Sequence, residues 1–412
     1  MKTTKIVVML LVAVLLVLPI MACAQPAPTP SPTPEAKVLK LGAHMAFQFP
    51  FYLEAKKCFE IIVAEFNKAG GLVVQGERYN VEMIIYDDMG TTEGGRSAAE
   101  RLISEDKVKA VFSAGAGALG SIEATERARM LNLTSSSSET VVDPGYKYVY
   151  RTAVVGTCIP ILWAQLKKDE PQIKTAVLVG LDNEEGYYRT ATDALCAKSL
   201  GIEVLDTIFH AVDETDFSAM ATKIKQLNPD LVALSTGDPA AQGALQWKAI
   251  YLSGWRGVKW TPIAPLVNVQ AEICGPEALE GIYTTFYDIG DLPTGTQENR
   301  DLKRAYIEKY GEWNEWGLDW IHGWNFLIGT IKKANSLDTD KIAEALQGIE
   351  VATPMGMGRL VPRRDVGNER TVDCIIVQYV SQIINGQNVY ASEASLDDSV
   401  KALEKLYGVS FQ

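Results

Sequence analysis

Histidine is scarce in this chain. His44, His210 and His322 are the only three in 412 residues, widely separated and without His-Glu-x-x-His spacing, which excludes the common zinc-hydrolase frameworks. No Gly-x-Ser-x-Gly elbow occurs, so the usual strained serine nucleophile is absent. The six cysteines contain no Cys-x-x-Cys pair, which removes redox and metal-ribbon motifs. Basic residues are outnumbered, 39 against 51 acidic, for a net charge of −12. No basic patch with interleaved aromatics is present, so a nucleic-acid partner is excluded. No internal repeat of roughly 20–50 residues points to a solenoid. Adjacent carboxylates such as Asp87-Asp88 lie on opposite faces of a strand and make poor acid–base partners; capping of the following loop is the expected role. Together these absences point away from an enzyme and imply no cofactor and no metal.

The beginning of the chain is strongly patterned. Lys2 and Lys5 precede an apolar run from Ile6 to Leu18, too short to span a bilayer comfortably. Residues 1–22 are therefore expected to be an export signal. Ile20-Met21-Ala22-Cys23 resembles a bacterial lipobox, which implies diacylation of Cys23 and a lipid anchor to the membrane. Residues 23–37 then form a lipidated cysteine and a tether. The alternating prolines from Pro26 to Pro34 favour polyproline II at ~3.1 Å per residue, a spacer of roughly 30 Å. The expected location is extracytoplasmic. Besides Cys23 there remain Cys58, Cys158, Cys196, Cys274 and Cys374, an odd number, so at least one thiol is unpaired within the chain.

From Val38 onward short apolar strands alternate with amphipathic helices. Strands are expected at Val38–Ala43, Val81–Tyr86, Lys109–Ser113 and Tyr148–Thr152, with helices at Leu53–Ala69, Glu93–Asp106 and Ser121–Leu131. The pattern restarts near residue 153: helices at Ile159–Lys168, Tyr188–Leu200, Phe217–Leu227 and Ala240–Ser253, strands at Thr175–Leu181, Glu203–Phe209 and Leu231–Thr236. Such alternation calls for parallel sheets covered on both faces, and the restart for two similar doubly wound α/β lobes. Ligands of open α/β sheets bind beyond the carboxyl ends of the strands, so two facing lobes would enclose a cleft.

Within this frame Glu65-Phe66-Asn67-Lys68-Ala69-Gly70-Gly71, Tyr86-Asp87-Asp88, Asp106-Lys107-Val108-Lys109-Ala110-Val111, Asp143-Pro144-Gly145-Tyr146 and Tyr150-Arg151-Thr152 follow in order over about 90 residues. Their order and spacing resemble the type I solute-binding proteins of bacterial ABC importers, in the leucine/isoleucine/valine-binding family. Weaker resemblance continues through Thr215-Asp216-Phe217-Ser218, Pro229-Asp230-Leu231-Val232 and Leu279-Glu280-Gly281. The resemblance implies two lobes joined by three crossings, near Arg151–Val154, Gly281–Tyr287 and within Gly356–Val377. Lobe 1 would comprise 38–152 and 284–358, lobe 2 residues 153–283 and 359–412. It further implies a monomer that binds a small molecule by lobe closure and delivers it to an ABC permease. A lobe pair that senses a ligand and signals to a partner is the alternative.

The candidate site follows from the strand ends. Gly115-Ala116-Gly117-Ala118-Leu119-Gly120 reads literally as a dinucleotide fingerprint, but it lies on the third strand of an exported protein. The better reading is that Gly115, Gly117 and Ala118 let backbone N–H groups and a helix N-terminus approach an anion. The resemblance places the ligand carboxylate here, with Gly117 close to a usual serine. Ser136, Ser137, Ser138 and Glu139 occupy the next strand end. Phe47, Phe49, Phe51 and Tyr52 follow the first strand, where an aromatic ligand wall is implied; dense aromatics of this kind line a pocket or a core. In the second lobe Glu185 stands where the family often has a ligand-stacking Tyr, with Tyr187 just beyond, and Gly237 and Asp238 follow another strand. Leu266 stands where amino-acid binders supply a carboxylate for the ligand's ammonium. A buried ammonium without a partner is costly, so an apolar or aromatic carboxylate is expected unless Glu185, Asp238 or Glu139 substitutes. Trp316, Trp320 and Trp324 share one helical face and are read as packing of the first lobe.

Overall fold

The computed structural model describes residues 36–153, 157–211, 213–235, 240–262, 267–285, 292, 295–313 and 317–411. The signal, Cys23 and most of the tether lie outside the described residues, as do Gly237, Asp238, Leu266, Trp316 and the side chain of Glu185.

The strands are β1 (Lys37–Met45), β2 (Leu72–Val74), β3 (Glu77–Asp87), β4 (Ala110–Ala114), β5 (Leu131–Ser135), β6 (Val149–Arg151), β7 (Thr175–Leu181), β8 (Glu203–His210), β9 (Leu231–Leu234), β10 (Val258–Trp260), β11 (Ile282–Thr285), β12 (Glu350–Thr353), β13 (Gly356–Arg363), β14 (Asn368–Ile376), β15 (Gln378–Ile384) and β16 (Gln387–Ala394). They form two sheets. The first has the order β12-β13-β14-β6-β5-β4-β1-β3-β2, the second β16-β15-β11-β10-β9-β7-β8. Each is parallel through its centre, β14-β6-β5-β4-β1-β3 and β11-β10-β9-β7-β8. The parallel sheets expected are present, with antiparallel strands added at the margins. β13 pairs antiparallel with β12 and β14, β2 with β3, and β15 with β11 and β16. The β2–β3, β12–β13, β13–β14 and β15–β16 pairs are hairpins or short connections, which suit antiparallel pairing and carry no crossover helix, whereas β15 returns to β11 from the other sheet.

The helices are α1 (Pro50–Lys68), α2 (Thr92–Arg101), α3 (Gly115–Arg127), α4 (Cys158–Asp169), α5 (Glu184–Ser199), α6 (Ser218–Leu227), α7 (Ala240–Ser253), α8 (Val267–Cys274), α9 (Pro276–Leu279), α10 (Gln297–Tyr310), α11 (Leu318–Ala334), α12 (Thr339–Leu346) and α13 (Leu396–Tyr407). α1 starts at Pro50, whose missing N–H is one of the unbonded donors of a first turn. It stops before Gly70 and Gly71 at positive φ; a Cβ on Gly71 would lie 2.2 Å from the Tyr79 carbonyl oxygen. On one face of the first sheet α1 and α11 pack around Phe59, Phe112, Phe326 and Leu133. Trp320 meets Tyr52 edge-on at 5.2 Å and Trp324 meets Phe66 at 5.3 Å, so both tryptophans pack in the first lobe as expected. The second sheet is covered on both faces by the clusters around Trp247 and around Trp163.

Several boundaries differ from expectation: the helix expected to reach Leu131 stops at Arg127, with Leu131 already in β5, α5 begins at Glu184 instead of Tyr188, and two further differences bear on the site. Residues 359–376 belong to the first sheet, because β14 pairs in parallel with β6 and sets Asp373 beside Arg151. Lobe 1 therefore runs to Ile376, and the third crossing falls at Val377, between β14 and β15. The hairpin pattern alone does not say which sheet it joins. The second difference is α3, which begins at Gly115, six residues before the expected Ser121. Glycines are poor helix formers and read as a loop, but here they are the contact itself. A Cβ on Gly95 would stand 2.0 Å from the Gly117 carbonyl oxygen, and one on Gly120 would stand 1.8 Å from that of Thr92. α2 and α3 thus approach backbone to backbone, and tertiary packing overrides propensity. Cys58, Cys158, Cys196, Cys274 and Cys374 form no disulfide with one another.

Candidate ligand cleft

The carboxyl end of β4 leads straight into α3. Its N-cap is Ala114, extended and without a capping side chain, so the cap residue supplies no acceptor to the first-turn N–H groups. Gly115 is half-buried and Ala116 exposed, which leaves that turn accessible. Gly115 has a φ of +48°, and a Cβ there would fall 2.7 Å from the Tyr52 hydroxyl. Gly117 and Ala118 are buried. Gly117 faces away from any opening, toward the Asp88 carboxylate, whose Oδ2 would lie 2.1 Å from an added Cβ. Gly115 is thus the glycine of the pair placed for a close approach, and Gly117 serves packing.

The loop after β3 holds that carboxylate. Asp88 Oδ2 lies 2.8 Å from His44 Nδ1, and Gly90 N donates to Asp88 Oδ1 at 2.9 Å. Asp87 Oδ1 accepts from Phe47 N at 3.2 Å and Met89 N at 2.9 Å. Both aspartates therefore cap the loop.

Beside the α3 terminus stands an aromatic group. Phe49 and Phe51 stack with centroids 5.6 Å apart, and Phe51 meets Tyr52 at 4.2 Å. Tyr52 is buried against Trp320, whereas Phe49 and Phe51 are 43% and 38% exposed. Exposed phenyl rings next to a helix N-terminus that its cap residue leaves uncapped form a surface with an apolar wall and an anion-accepting end.

The third strand end is the serine loop. Ser138 Oγ accepts from Thr140 N at 3.3 Å, and Ser136 Oγ from Ser138 N at 3.4 Å. The hydroxyl of Ser137 has no partner among the described residues. The loop is pinned from below by Arg151, whose Nη1 donates to the carbonyls of Ser137 at 3.2 Å and Ser138 at 3.4 Å.

Arg151 belongs to a buried ion cluster that the sequence did not disclose. Its Nε and Nη2 donate to the two oxygens of Asp373 at 2.8 and 2.5 Å. Arg363 Nη1 reaches Asp373 Oδ2 at 2.8 Å, and Arg363 also forks onto Asp365 at 2.8 and 2.6 Å. Burial pushes the Asp373 carboxyl up, but the two guanidinium groups outweigh it and hold it below the ordinary value. Glu139 closes the cluster. Its Oε2 accepts from Arg363 Nη2, while its Oε1 lies 3.5 Å from Arg151 Nη2. Oε1 also accepts from the Tyr188 hydroxyl, on α5, at 2.9 Å. Burial and the Glu139 carboxylate push the Tyr188 phenol up to about 12. Tyr150-Arg151-Thr152 is visible as a motif, but the buried counterion of Arg151, Asp373, lies 222 residues away.

The facing strand end of the second sheet carries Asp182 and Asn183. Asn183 caps α5, its Oδ1 accepting from Gly186 N at 2.8 Å. Tyr187 is exposed, donates its hydroxyl to Asp182, and meets Phe209 edge-on at 4.9 Å. Behind the carboxyl end of β9 lies Asp193, fully buried, with Oδ1 accepting from Trp163 Nε1 at 2.5 Å. Burial pushes its carboxyl from 3.8 up to about 6, only partly offset by the nearby Ser235 hydroxyl, which falls short of a hydrogen bond, and by Trp163. A carboxyl with a raised folded pKa binds its proton more tightly in the folded chain, so its contribution declines as pH rises from 3.8 to about 6 and is flat above. Asp193→Asn should therefore be more stable than the parent at pH 7.5 by roughly 2–3 kcal/mol, with the difference closing at pH 4. Urea unfolding at the two pH values checks this; a constant difference would refute it.

Among the described residues no group of His, Cys, Asp or Glu is arranged to hold a metal ion. None of the described helices is long and apolar enough to cross a membrane.

A family model described as periplasmic binding protein matches residues 51–383. A leucine-binding protein from Thermotoga maritima shares 21% identity over 87% of this chain and 99% of its own, with a TM-score of 0.69. A solute-binding protein of an ABC transporter from Rhodopseudomonas palustris, solved with 3,4-dihydroxybenzoic acid, shares 18% over 87% and 96%, with a TM-score of 0.66. A leucine-, isoleucine-, valine-, threonine- and alanine-binding protein from Brucella ovis, in a closed conformation, shares 20% over 89% and 97%, with a TM-score of 0.72. At such identities these likenesses speak for the fold.

Proposed function

This chain belongs to the periplasmic binding protein family, and from that premise we propose that it is the extracytoplasmic substrate-binding component of an ABC importer, specific for an apolar or aromatic carboxylate. It captures the solute between its lobes, without making or breaking a bond in it, and passes it to a membrane permease while Cys23 anchors it by a lipid. The observation that carries the ligand class is the pairing of the uncapped α3 terminus with the Phe49–Phe51 wall. Backbone N–H groups suit a carboxylate, and exposed phenyl rings suit a flat or apolar body. A second observation bears on a partner for a ligand ammonium. Glu139, the carboxylate at the first lobe's serine loop, is already engaged by Arg151, Arg363 and Tyr188. The aromatic acid bound by the Rhodopseudomonas relative is a ligand of the same class.

The test is a thermal-shift and calorimetric panel of benzoate, 4-hydroxybenzoate, 4-methylpentanoate and leucine. At 100 times Kd a ligand adds about 2.7 kcal/mol of stability. The carboxylates without an amino group are expected to bind. Binding of leucine with 4-methylpentanoate ignored would sink the proposed class.

A further inference from the structure

We infer that the Tyr188–Glu139 hydrogen bond is a contact that biases the two lobes toward the closed spacing on the hinge side of the cleft, which makes Tyr188 a positioning residue for ligand capture. The inference rests on the lobe-closing reading above. Glu139 is fixed to the first lobe by Arg363 and Arg151, and both arginines share the fully buried Asp373. Arg151 is the last residue of β6, where the first crossing departs, and β14, which carries Asp373, ends at Ile376, one residue before the third. The carboxylate is therefore anchored at the root of two crossings. The cluster holds two guanidinium groups against three carboxylates. Among those three, Glu139 is the one with a substantial exposed share, 32% of its side chain.

Tyr188 comes from the other lobe. It sits in the first turns of α5, directly after the carboxyl end of β7, and its own carbonyl is fixed by Thr192 Oγ1 at 3.0 Å. Glu139 directly follows the loop at the carboxyl end of β5. Both ends of the bond thus face the cleft, so rotation that opens the lobes lengthens it and rotation that closes them restores it. A neutral hydroxyl donating to a charged acceptor favours the closed spacing by about tenfold. A second lobe-2 aromatic, Tyr407 on α13, lies over the Arg363 guanidinium at 5.1 Å and packs the same cluster.

The test measures the lobe spacing itself and needs no ligand. Spin labels are introduced as unnatural amino acids at Lys68 and Lys198, exposed and near the C-terminal ends of α1 and α5. Pulsed electron resonance then gives the distance distribution of the ligand-free protein. Tyr188→Phe and Glu139→Met should each reduce the population at the spacing of this structure about tenfold relative to the open one. The double variant should show no further loss, because each change removes the same bond. An unchanged distribution in Tyr188→Phe, additive losses in the double variant, or a parent with no population at this spacing would each overturn the inference. A second arm titrates benzoate. If benzoate binds the parent, its Kd should weaken by the same factor in Tyr188→Phe; if it does not bind, the proposed ligand class fails while the distance arm still decides.

Discussion

Arg151→Met should destabilise the protein by about 3–5 kcal/mol, the largest loss expected from a single substitution outside the apolar core. Both Arg151 and Asp373 are fully buried. Removing the cation leaves a carboxylate sealed from water with Arg363 as its remaining charged partner, and it strips the donor from the Ser137 and Ser138 carbonyls. A buried charge deprived of its partner costs far more than the pair contributes by existing. Asp373→Asn is expected to cost less, about 1–2 kcal/mol. Two guanidinium groups then face Glu139 and Asp365, the charges balance, and the amide oxygen still accepts from Arg151. Urea unfolding of the two variants gives the ranking. Arg151→Met within 1 kcal/mol of the parent would mean that water reaches the cluster. The serine loop should also lose order, read as faster amide exchange at residues 136–140.

Gly120→Ala is the second large effect. The added methyl would meet the Thr92 carbonyl oxygen at 1.8 Å, a backbone atom that cannot rotate away. α3 must move off α2, at a cost of about 3 kcal/mol or more. Gly117→Ala meets the Asp88 carboxylate at 2.1 Å. That group is a side chain, though one held by His44 and Gly90, so its cost should be somewhat smaller, about 2 kcal/mol. Ala116→Gly, on the exposed side of the same turn, should cost no more than about 1 kcal/mol. Both glycine variants also shift the α3 terminus, so any carboxylate that binds the parent should bind them more weakly. Thermal unfolding and calorimetry read the two effects separately. Equal stability of Gly120→Ala and Ala116→Gly would show that the helices do not meet at this seam.

The elements of the second lobe were the most legible. The strand Thr175–Leu181 and the helix Ala240–Ser253 have the bounds that apolar patterning indicates. Such elements are set by local forces: side-chain period, branched residues in strands, and glycine or asparagine at ends. The two-lobe architecture and the family followed from the same local patterns repeated in order. The paired carboxylates at residues 87 and 88 were also correctly legible as loop caps, since short-range hydrogen bonding needs no distant partner.

Other features depended on groups far apart in the chain. The glycines of residues 115–120 carry the sequence signature of a loop, and only the approach of α2 turns them into helix. The sheet joined by the hairpin of residues 356–376 depends on pairing with β6, and the engagement of Glu139 on Arg363, 224 residues away, and on Tyr188 of the facing lobe. Local pattern determines what a segment becomes, because its causes lie within a few residues. Which carboxylates remain available to a ligand is decided by where buried charges find their counterions, and burying a charge demands a partner wherever in the chain one can be brought.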